Sequence, residues 1–415
     1  MRICFLTHYY PPEVGAPQAR ISALAHALSD RGATVAVQTG FPNYPDGKIR
    51  MPYSNRPYLI ERDGPVRVVR TAIYPTPNHG FARRLANHAS LAASALAGAP
   101  LSGPADVVVC ESPPLFLAGA AIAFARAKRA PLVLNVADRW PASAVELGAL
   151  YDARAIRAAE WLERTAYRAA TAISVPTEGL VDDLSALPDA RGKVVRLGPS
   201  VDLARFDPSP PEPSERLRLL YAGTIGLAQG LDTLVEAARR AGPDVVDVTV
   251  AGDGADAPEL RQRLERDGVD NVTMVGSVAH TSVPSLYVVA DAAVVLLRDR
   301  PIFRGALPTK MLEAMAAGRA IVLSAAGESA RLVEDSQAGV VVAPEDPDAL
   351  AGAFRDLAAD RDRLTALGEA GRRCAVERFT RDRVVSRWWD VLERVAGGHP
   401  LDGPGSSMKA SGSSV

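Results

Sequence analysis

Cysteine is scarce in this sequence, which contains only three in 415 residues. Cys4, Cys110 and Cys374 lie far apart, with no CxxC pair and no nearby histidine partner. This spacing excludes a disulfide framework and argues against a thiolate metal site, so we expect a protein of the reducing cytoplasm. The first residues read as an apolar strand, without the basic region or cleavage site of a signal peptide.

A large net charge and long apolar runs are missing as well. The 47 Lys+Arg and 48 Asp+Glu give a net charge of −1, which excludes binding of nucleic acid through bulk positive charge. No stretch of about 18 strongly apolar residues could span a bilayer. The nearest candidate, residues 85–105, is uncharged but rich in alanine and interrupted by glycine and proline. Because Arg83 and Arg84 precede it, peripheral contact with the inner face of a membrane is left as an open alternative.

Basic and acidic residues are divided unevenly along the chain. Basic residues exceed acidic ones by six in residues 1–196, and acidic residues exceed basic ones by seven in the rest. The change falls at a proline-rich segment, and proline hinders both helix and sheet pairing. The predicted division is an N-terminal domain over 1–197, a linker over 198–216, a C-terminal domain over 217–378, a helix over about 379–395 that packs back towards the first domain, and a disordered tail over 397–415.

Both halves alternate short apolar strands with amphipathic helices. The segments DVVVC and PLVLNV in the first half, and DVTVAG and AAVVLL in the second, are near-continuous apolar runs. Such runs are typical of parallel strands that helices cover on both faces. We therefore predict an α/β protein with two Rossmann-like parallel-sheet domains facing each other across a cleft, and with ligands at the carboxyl ends of the strands.

Two glycine-containing loops follow predicted strands. Gly15 stands between the first strand and a helix, where unpaired N–H groups suit a phosphate, although a plain strand-to-helix turn explains one glycine equally well. Gly223, Gly226 and Gly230 stand between a later strand and a helix that Asp232 can cap. Three glycines there permit close approach of a diphosphate to main-chain amides. The GxGxxG and GxxxxGK[ST] patterns are absent, which disfavours a dehydrogenase and an ATPase.

A third candidate lies in the segment RDRPIFRGALPTKMLEAMAAG. Pro308 and Thr309 predict a helix start, with Thr309 as the cap. Lys310 follows in the first turn, where the helix dipole disfavours a cation unless an anion is bound, so Arg304 and Lys310 are candidate phosphate partners. Glu313 is a candidate acceptor for ribose hydroxyls, with a surface or capping role as the alternative.

These segments together resemble the retaining glycosyltransferases of family 4, which have the GT-B fold. PTKMLEAMAAGRAIVLS is similar to the family's nucleotide-sugar helix, and YAGTIGLAQGLDTLVEAA, VAGDGADAPEL and NVTMVGSVAH stand in the family's order. The N-terminal segments PPEVGAPQARISALAHALSDRGATVAVQT and NVADRWPASAVELGAL are similar to the branch of aminosugar transferases that make bacterial surface polysaccharides. The resemblance covers about residues 1–395.

The resemblance implies a role for each candidate. The Gly223 and Gly226 amides would hold the diphosphate, Val275 and Val278 would flank the nucleobase, and Asp138 would point into the cleft near the transferred sugar or the acceptor hydroxyl. The residues it assigns to catalysis are Asp138, Arg304 and Lys310, and those it assigns to the donor are Gly15, Gly223, Thr224, Gly226, Gln229, Val275, Val278, Thr309 and Glu313.

The sequence departs from the family at three positions. Gly305 stands where a glutamate commonly binds the donor sugar, and Thr224 and Gln229 replace the usual Arg and Lys of the first C-domain loop. The aminosugar branch shares such departures, so fold and class still follow, but the identity of the donor does not. Neutralisation of the phosphates would then depend more on Arg304, Lys310 and helix amides.

The implied reaction is transfer of a sugar from a nucleotide sugar, most simply a UDP-hexose or UDP-N-acetylhexosamine, to an acceptor hydroxyl with retention of configuration. The family needs no metal. No cofactor is expected either, because the nucleotide sugar is itself a substrate. The acceptor would be a sugar, a lipid-linked sugar or a small molecule, in cell-surface polysaccharide or glycosylated metabolite biosynthesis. Two alternatives are open: an epimerase of the same fold, for which only Glu111 and Asp138 offer carboxylates, and a catalytically silent nucleotide-sugar binding protein.

Overall fold

The computed structural model describes residues 1–13, 15–44, 46–76, 81–146 and 150–401. The chain divides into two compact units. Unit 1 is Met1–Leu197 together with the chain from Val385, and unit 2 is Gly198–Val384. Each unit is an α/β domain with its own sheet. Residues 402–415 of the predicted disordered tail lie outside the described residues.

Unit 1 is built on an eight-stranded sheet with the order β3-β4-β2-β1-β5-β6-β7-β8. Its strands are β1 (Arg2–Leu6), β2 (Thr34–Gly40), β3 (Tyr58–Asp63), β4 (Val66–Thr71), β5 (Val107–Ser112), β6 (Leu132–Val136), β7 (Ala172–Val175) and β8 (Val194–Arg196). The β3–β4 hairpin is antiparallel, and the other neighbouring strands are parallel. Every residue of β5 is buried, because helices cover both faces of a parallel sheet.

Within the described ranges, six α-helices lie wholly in unit 1. They are α1 (Ala16–Asp30), α2 (Phe81–Ala97), α3 (Leu115–Lys128), α4 (Ala142–Glu146), α5 (Ala153–Ala169) and α6 (Glu178–Ser185). Leu91 and Ala95 of α2 are buried in the core of unit 1, so part of the uncharged stretch 85–105 packs inside the domain. Among the described residues, none of the helices has the length and hydropathy needed to cross a membrane.

Unit 2 is built on a six-stranded parallel sheet with the order β11-β10-β9-β12-β13-β14. Its strands are β9 (Leu217–Ala222), β10 (Val246–Ala251), β11 (Val272–Gly276), β12 (Ala292–Leu296), β13 (Ala320–Ser324) and β14 (Gly339–Val342). Its helices are α7 (Leu231–Ala241), α8 (Ala257–Asp267), α9 (Val283–Val289), α10 (Thr309–Ala316), α11 (Glu328–Ser336), α12 (Pro347–Ala359) and α13 (Arg361–Arg378). The last helix, α14 (Arg381–Ala396), begins in unit 2 and continues into unit 1.

The proline-rich segment 198–216, interpreted from the sequence as a linker, belongs to unit 2. The N–H of Val201 donates to the carbonyl of Phe379 at 2.9 Å, and Phe206 packs edge-to-face on Tyr287 with ring centroids 5.7 Å apart. Proline prevents regular pairing but does not prevent the apolar side chains between prolines from being buried, which is why this segment is anchored to the domain.

Candidate functional site

The carboxyl edge of the unit 2 sheet carries two loops that pack main chain against main chain. The first follows β9 and begins at Gly223, and the second follows β10 and contains Gly252 and Gly254. A Cβ at Gly252 would lie 1.8 Å from the carbonyl oxygen of Gly223, and one at Gly254 would lie 2.1 Å from that of Ile225. Only glycine allows this approach, so the second loop holds the first in place.

Lys310 lies at the start of α10, beside the first of these loops. Its ammonium nitrogen is 3.7 Å from the centroid of the Tyr221 ring, a cation–π contact. A Cβ at Gly223 would lie 2.9 Å from the same nitrogen. The structure therefore brings together two predicted site residues, Gly223 and Lys310, and adds Tyr221, which sequence reasoning missed.

The start of α10 differs from the prediction. Pro308 is the residue that precedes the helix, and no side chain caps it. Thr309, predicted as the cap, is instead the first helical residue and is exposed, so that prediction is wrong. Pro308 already has the extended backbone of a cap residue, with ψ of 131°, and this places Thr309 within the first turn. The first N–H groups of α10 consequently have no side-chain acceptor and, with the helix dipole, suit an anionic ligand.

Glu313 is one turn further along α10 and is half-buried. Burial raises the pKa of its carboxyl group to about 7, although Arg205 and Lys310 both act to lower it. Burial also lowers the pKa of Lys310 to about 7, while Glu313 acts to raise it. Both groups thus change charge near neutral pH, and strongly shifted pKa values of this kind cluster at functional sites.

Arg205 is a second residue that sequence reasoning missed. Its guanidinium group lies 2.8 Å from Nε2 of His280 and donates to the His280 carbonyl oxygen at 2.6 Å. After burial, Arg205 has the largest effect on the pKa of Glu313. The available signal in the sequence is a cation between two apolar residues, Val201 and Phe206, both of which are buried. The prolines of the segment mask this signal, because they indicate a linker.

Arg304 has a different environment from Lys310. Its side chain is exposed, and its guanidinium group pairs with the Asp299 carboxylate at 3.3 Å. Its carbonyl oxygen accepts the N–H of Glu328 at 2.6 Å, so the main chain is fixed at the start of α11. The two cations of the predicted phosphate clamp therefore have different partners, a carboxylate for Arg304 and an aromatic ring for Lys310.

Arg298 organises the loop between β9 and α7. Its guanidinium group donates to the Leu227 carbonyl at 2.8 Å, to Asp232 at 2.9 Å and to Glu345 at 2.8 Å. Asp232 was predicted to cap α7, and this is wrong, because the cap position is taken by Gly230 in the left-handed conformation, with φ of 62°. Asp232 lies in the first turn and is an ion-pair partner instead.

Thr224, Gly226 and Gln229 form the turn that Arg298 supports. The Gln229 N–H donates to the Gly226 carbonyl at 3.0 Å, and the Tyr221 hydroxyl donates to the Thr224 carbonyl. These bonds fix the backbone of the loop that begins at Gly223. The loop is therefore shaped in advance, as main-chain anion sites need to be.

Val275 and Val278, predicted to flank the nucleobase, lie at and beyond the end of β11. Val275 is 46% exposed, whereas Val278 is half-buried and packs against the cluster that contains Phe206 and Tyr287. Both residues are thus at the carboxyl edge of the unit 2 sheet, the same edge as Gly223.

Unit 1 carries two of the predicted site residues. Gly15 precedes α1, and a Cβ there would lie 2.5 Å from Oε1 of the buried Gln18. Asp138 is exposed and follows β6. The next residue, Arg139, lies 3.7 Å from Oε1 of Glu163, so the loop that presents Asp138 is anchored to α5.

A buried polar cluster at the end of β1 escaped sequence reasoning. Nε2 of His8 lies 2.8 Å from Oδ1 of Asn87, and the Asn87 amide nitrogen donates to Asn43 Oδ1 and to the Tyr74 carbonyl. These bonds make Nε2 of His8 the donor, so that Nδ1 is an acceptor. Burial lowers the pKa of His8 to about 3, and the ring is neutral at pH 7.

Glu111, one of the two carboxylates considered for an epimerase, is committed to an internal network. It is 5% exposed, forms an ion pair with Arg20 and accepts a hydrogen bond from the Asn135 amide at 2.6 Å. The carboxylate oxygens of Glu111 already have partners within the protein, which weakens the epimerase alternative.

Two α/β units with mainly parallel sheets, one of which has a glycine loop and a helix N-terminus without a side-chain cap at its carboxyl edge, are typical of nucleotide-binding proteins. Residues 15–200 match the family described as glycosyl transferase 4-like domain, and residues 216–360 match glycosyl transferases group 1. The chain belongs to this glycosyltransferase family.

Two relatives of the chain are bacterial proteins. The chain is 31% identical over 210 residues to the GDP-mannose-dependent alpha-(1-6)-phosphatidylinositol monomannoside mannosyltransferase of Mycobacterium tuberculosis. That match spans 47% of this chain and 54%, about half, of the relative. The chain is 30% identical to the alpha-maltose-1-phosphate synthase of Mycolicibacterium smegmatis, over 62% of this chain and 70% of that protein.

Two solved structures share the fold. Sucrose-phosphate synthase from Thermosynechococcus elongatus has a TM-score of 0.76 and 18% identity, covering 96% of this chain and 99% of that one. Anabaena HepE in complex with UDP-glucose has a TM-score of 0.68 and 18% identity, covering 95% and 99%. The predicted GT-B fold and the glycosyltransferase resemblance are confirmed, while the aminosugar branch and the retaining mechanism stay predictions.

Proposed function

We propose that the protein transfers a hexosyl group from a UDP-hexose or UDP-N-acetylhexosamine to an acceptor hydroxyl. The observation that carries the proposal is the position of the Lys310 ammonium group against Gly223, at the uncapped N-terminus of α10. Loop amides, a helix dipole and one cation there suit a diphosphate. The complex of HepE with UDP-glucose supports uridine as the base, whereas the mannosyltransferase is named for GDP-mannose.

The proposed role of each residue is based on its position in the site. Lys310, with Arg304 as the outer cation, stabilises negative charge on the departing diphosphate, and Glu313 accepts hydrogen bonds from the ribose hydroxyls. Asp138 acts near the transferred sugar or the acceptor. Retention of configuration proceeds without a metal and without a protein nucleophile, and the leaving phosphate accepts the proton of the acceptor. The remaining donor contacts are assigned to Gly15, Thr224, Gly226, Gln229, Val275, Val278 and Thr309.

The test is incubation with radiolabelled UDP-glucose, UDP-N-acetylglucosamine, GDP-mannose and ADP-glucose, with a mixture of sugar and lipid-linked sugar acceptors. We expect a labelled transfer product from a UDP-sugar, unchanged by EDTA. Formation of the epimeric UDP-sugar would support the epimerase, and binding without turnover would support the silent binding protein. Turnover of GDP-mannose alone would contradict the choice of uridine.

The affinity for UDP-glucose is expected to be highest near pH 7 and to fall on both sides. As pH rises through about 7, Lys310 loses the charge that attracts the diphosphate. As pH falls through about 7, Glu313 is protonated and loses an acceptor. Calorimetry at several pH values measures this, because the diphosphate of UDP-glucose has no group that titrates in the range.

Two variants separate the limbs of this pH profile. Lys310→Arg keeps its charge at alkaline pH and should lose the alkaline decline, whereas Glu313→Gln should lose the acidic decline. A wild-type affinity that is flat across pH 7 contradicts the assignment of both groups.

We also propose that the acceptor is part of cell-surface polysaccharide or glycosylated metabolite biosynthesis, and that the protein works at the inner face of the membrane. Arg83 is exposed on α2, and each basic residue near an anionic surface contributes about 1 kcal/mol. The expected result is sedimentation with phosphatidylglycerol vesicles at low salt and release at high salt. The charge-reversed variant Arg83→Glu/Arg84→Glu should stay in the supernatant. Equal sedimentation of the variant and the wild type would show that these two arginines do not form the membrane-binding surface.

A further inference from the structure

The basic residues around the loop that follows β9 have different partners for their positive charges. Arg298 pairs with Asp232 and Glu345, and Arg304 pairs with Asp299. A carboxylate partner already satisfies an arginine and competes with an incoming anion. In the part of the chain that the structure describes, the ammonium group of Lys310 forms no hydrogen bond or ion pair, and it rests on the Tyr221 ring.

Tyr221 contacts both the cation and the loop. It is the penultimate residue of β9 and is fully buried. The face of its ring lies 3.7 Å from Lys310 Nζ, and its hydroxyl donates to the carbonyl of Thr224. One rigid side chain therefore connects the ammonium group to the backbone that follows Gly223.

The main chain of Lys310 is held from another direction. The Tyr287 hydroxyl donates to the Lys310 carbonyl at 3.1 Å, and Tyr287 is itself buried. With its backbone fixed by Tyr287 and its ammonium group resting on Tyr221, the lysine side chain loses little further freedom when an anion binds.

We propose that Tyr221 is a positioning residue for the donor diphosphate, which favours the charged form of the Lys310 side chain and directs it at the loop without neutralising it. A ring quadrupole attracts a cation but carries no net charge, so it leaves the cation able to bind phosphate. This inference rests on the proposed nucleotide-sugar function and adds a residue to that site. No motif in the sequence indicated it.

The experiment varies the electron density on the face of the ring with only a small change in its size. Phenylalanine and 3,4,5-trifluorophenylalanine are placed at position 221, and the pKa of Lys310 is measured by NMR of ¹³C-labelled lysine without nucleotide. Fluorine withdraws charge from the ring face, so the trifluoro ring should lower the Lys310 pKa by roughly 0.5–1 unit relative to Tyr221→Phe. The affinity for UDP-glucose at pH 7.0 (about the midpoint of the Lys310 titration) should fall several-fold in parallel.

Two controls complete the design. Phe354→Leu replaces another buried aromatic ring, from the core cluster that also contains Tyr221, with an aliphatic side chain and should leave the Lys310 pKa unchanged. Tyr221→Phe alone removes the bond to Thr224 and should weaken UDP-glucose binding with little change in that pKa. Identical Lys310 pKa values for the phenylalanine and trifluoro rings overturn the inference. Failure of the wild-type protein to bind any nucleotide sugar overturns the proposed function instead, because the NMR result needs no ligand.

Discussion

Lys310→Ala is expected to lower kcat by about 10²–10³-fold, the usual loss when one donor to developing negative charge is removed. Charge builds up on the diphosphate only as the sugar leaves, so the transition state should be affected more than the ground state. Binding of uridine, which lacks phosphates, should be nearly unchanged. Steady-state kinetics with the preferred donor, together with uridine calorimetry, measure the two effects.

Arg304→Ala is expected to act in the same direction but less strongly, because Arg304 is exposed and already paired with Asp299. Arg266→Ala is a matched control, since Arg266 is an exposed arginine of unit 2 that pairs with Asp267 at 2.9 Å. Near-wild-type turnover in both Lys310→Ala and Arg304→Ala would refute the phosphate clamp. A loss shared by Arg266→Ala would point to a general effect of charge.

Glu313→Ala is expected to weaken binding of UDP by about 1.5–3 kcal/mol, or roughly 10- to 150-fold. The reason is the loss of a half-buried carboxylate one turn from Lys310, which accepts hydrogen bonds from the ribose hydroxyls in the proposed site. Calorimetry with UDP and with 2′,3′-dideoxy-UDP tests this, because the variant should no longer distinguish the two nucleotides.

The control for this prediction is Glu265→Ala, which removes an exposed glutamate from α8 of the same unit. It should leave UDP affinity unchanged. If a folded Glu313→Ala protein binds UDP as tightly as the wild type does, Glu313 does not accept hydrogen bonds from the ribose hydroxyls.

The sequence by itself determined the elements and their class. Apolar runs such as Val107–Ser112 became buried parallel strands, because a strand covered on both faces needs apolar residues at every position. It also determined that Lys310 and Glu313 share the first turns of one helix, since they are close in the chain. Features of this kind depend on near neighbours, and near neighbours are what a sequence displays.

The tertiary structure alone decided which residues meet. Tyr221 lies under Lys310 because α10 begins beside the end of β9, and Arg205 comes from a segment that looked like a linker. The caps expected from Thr309 and Asp232 were likewise replaced by Pro308 and by Gly230. The order of the strands in the sheet determines which of these residues meet. That order depends on how whole faces of sheets and helices pack together, and residues distant in the chain form this packing only on folding.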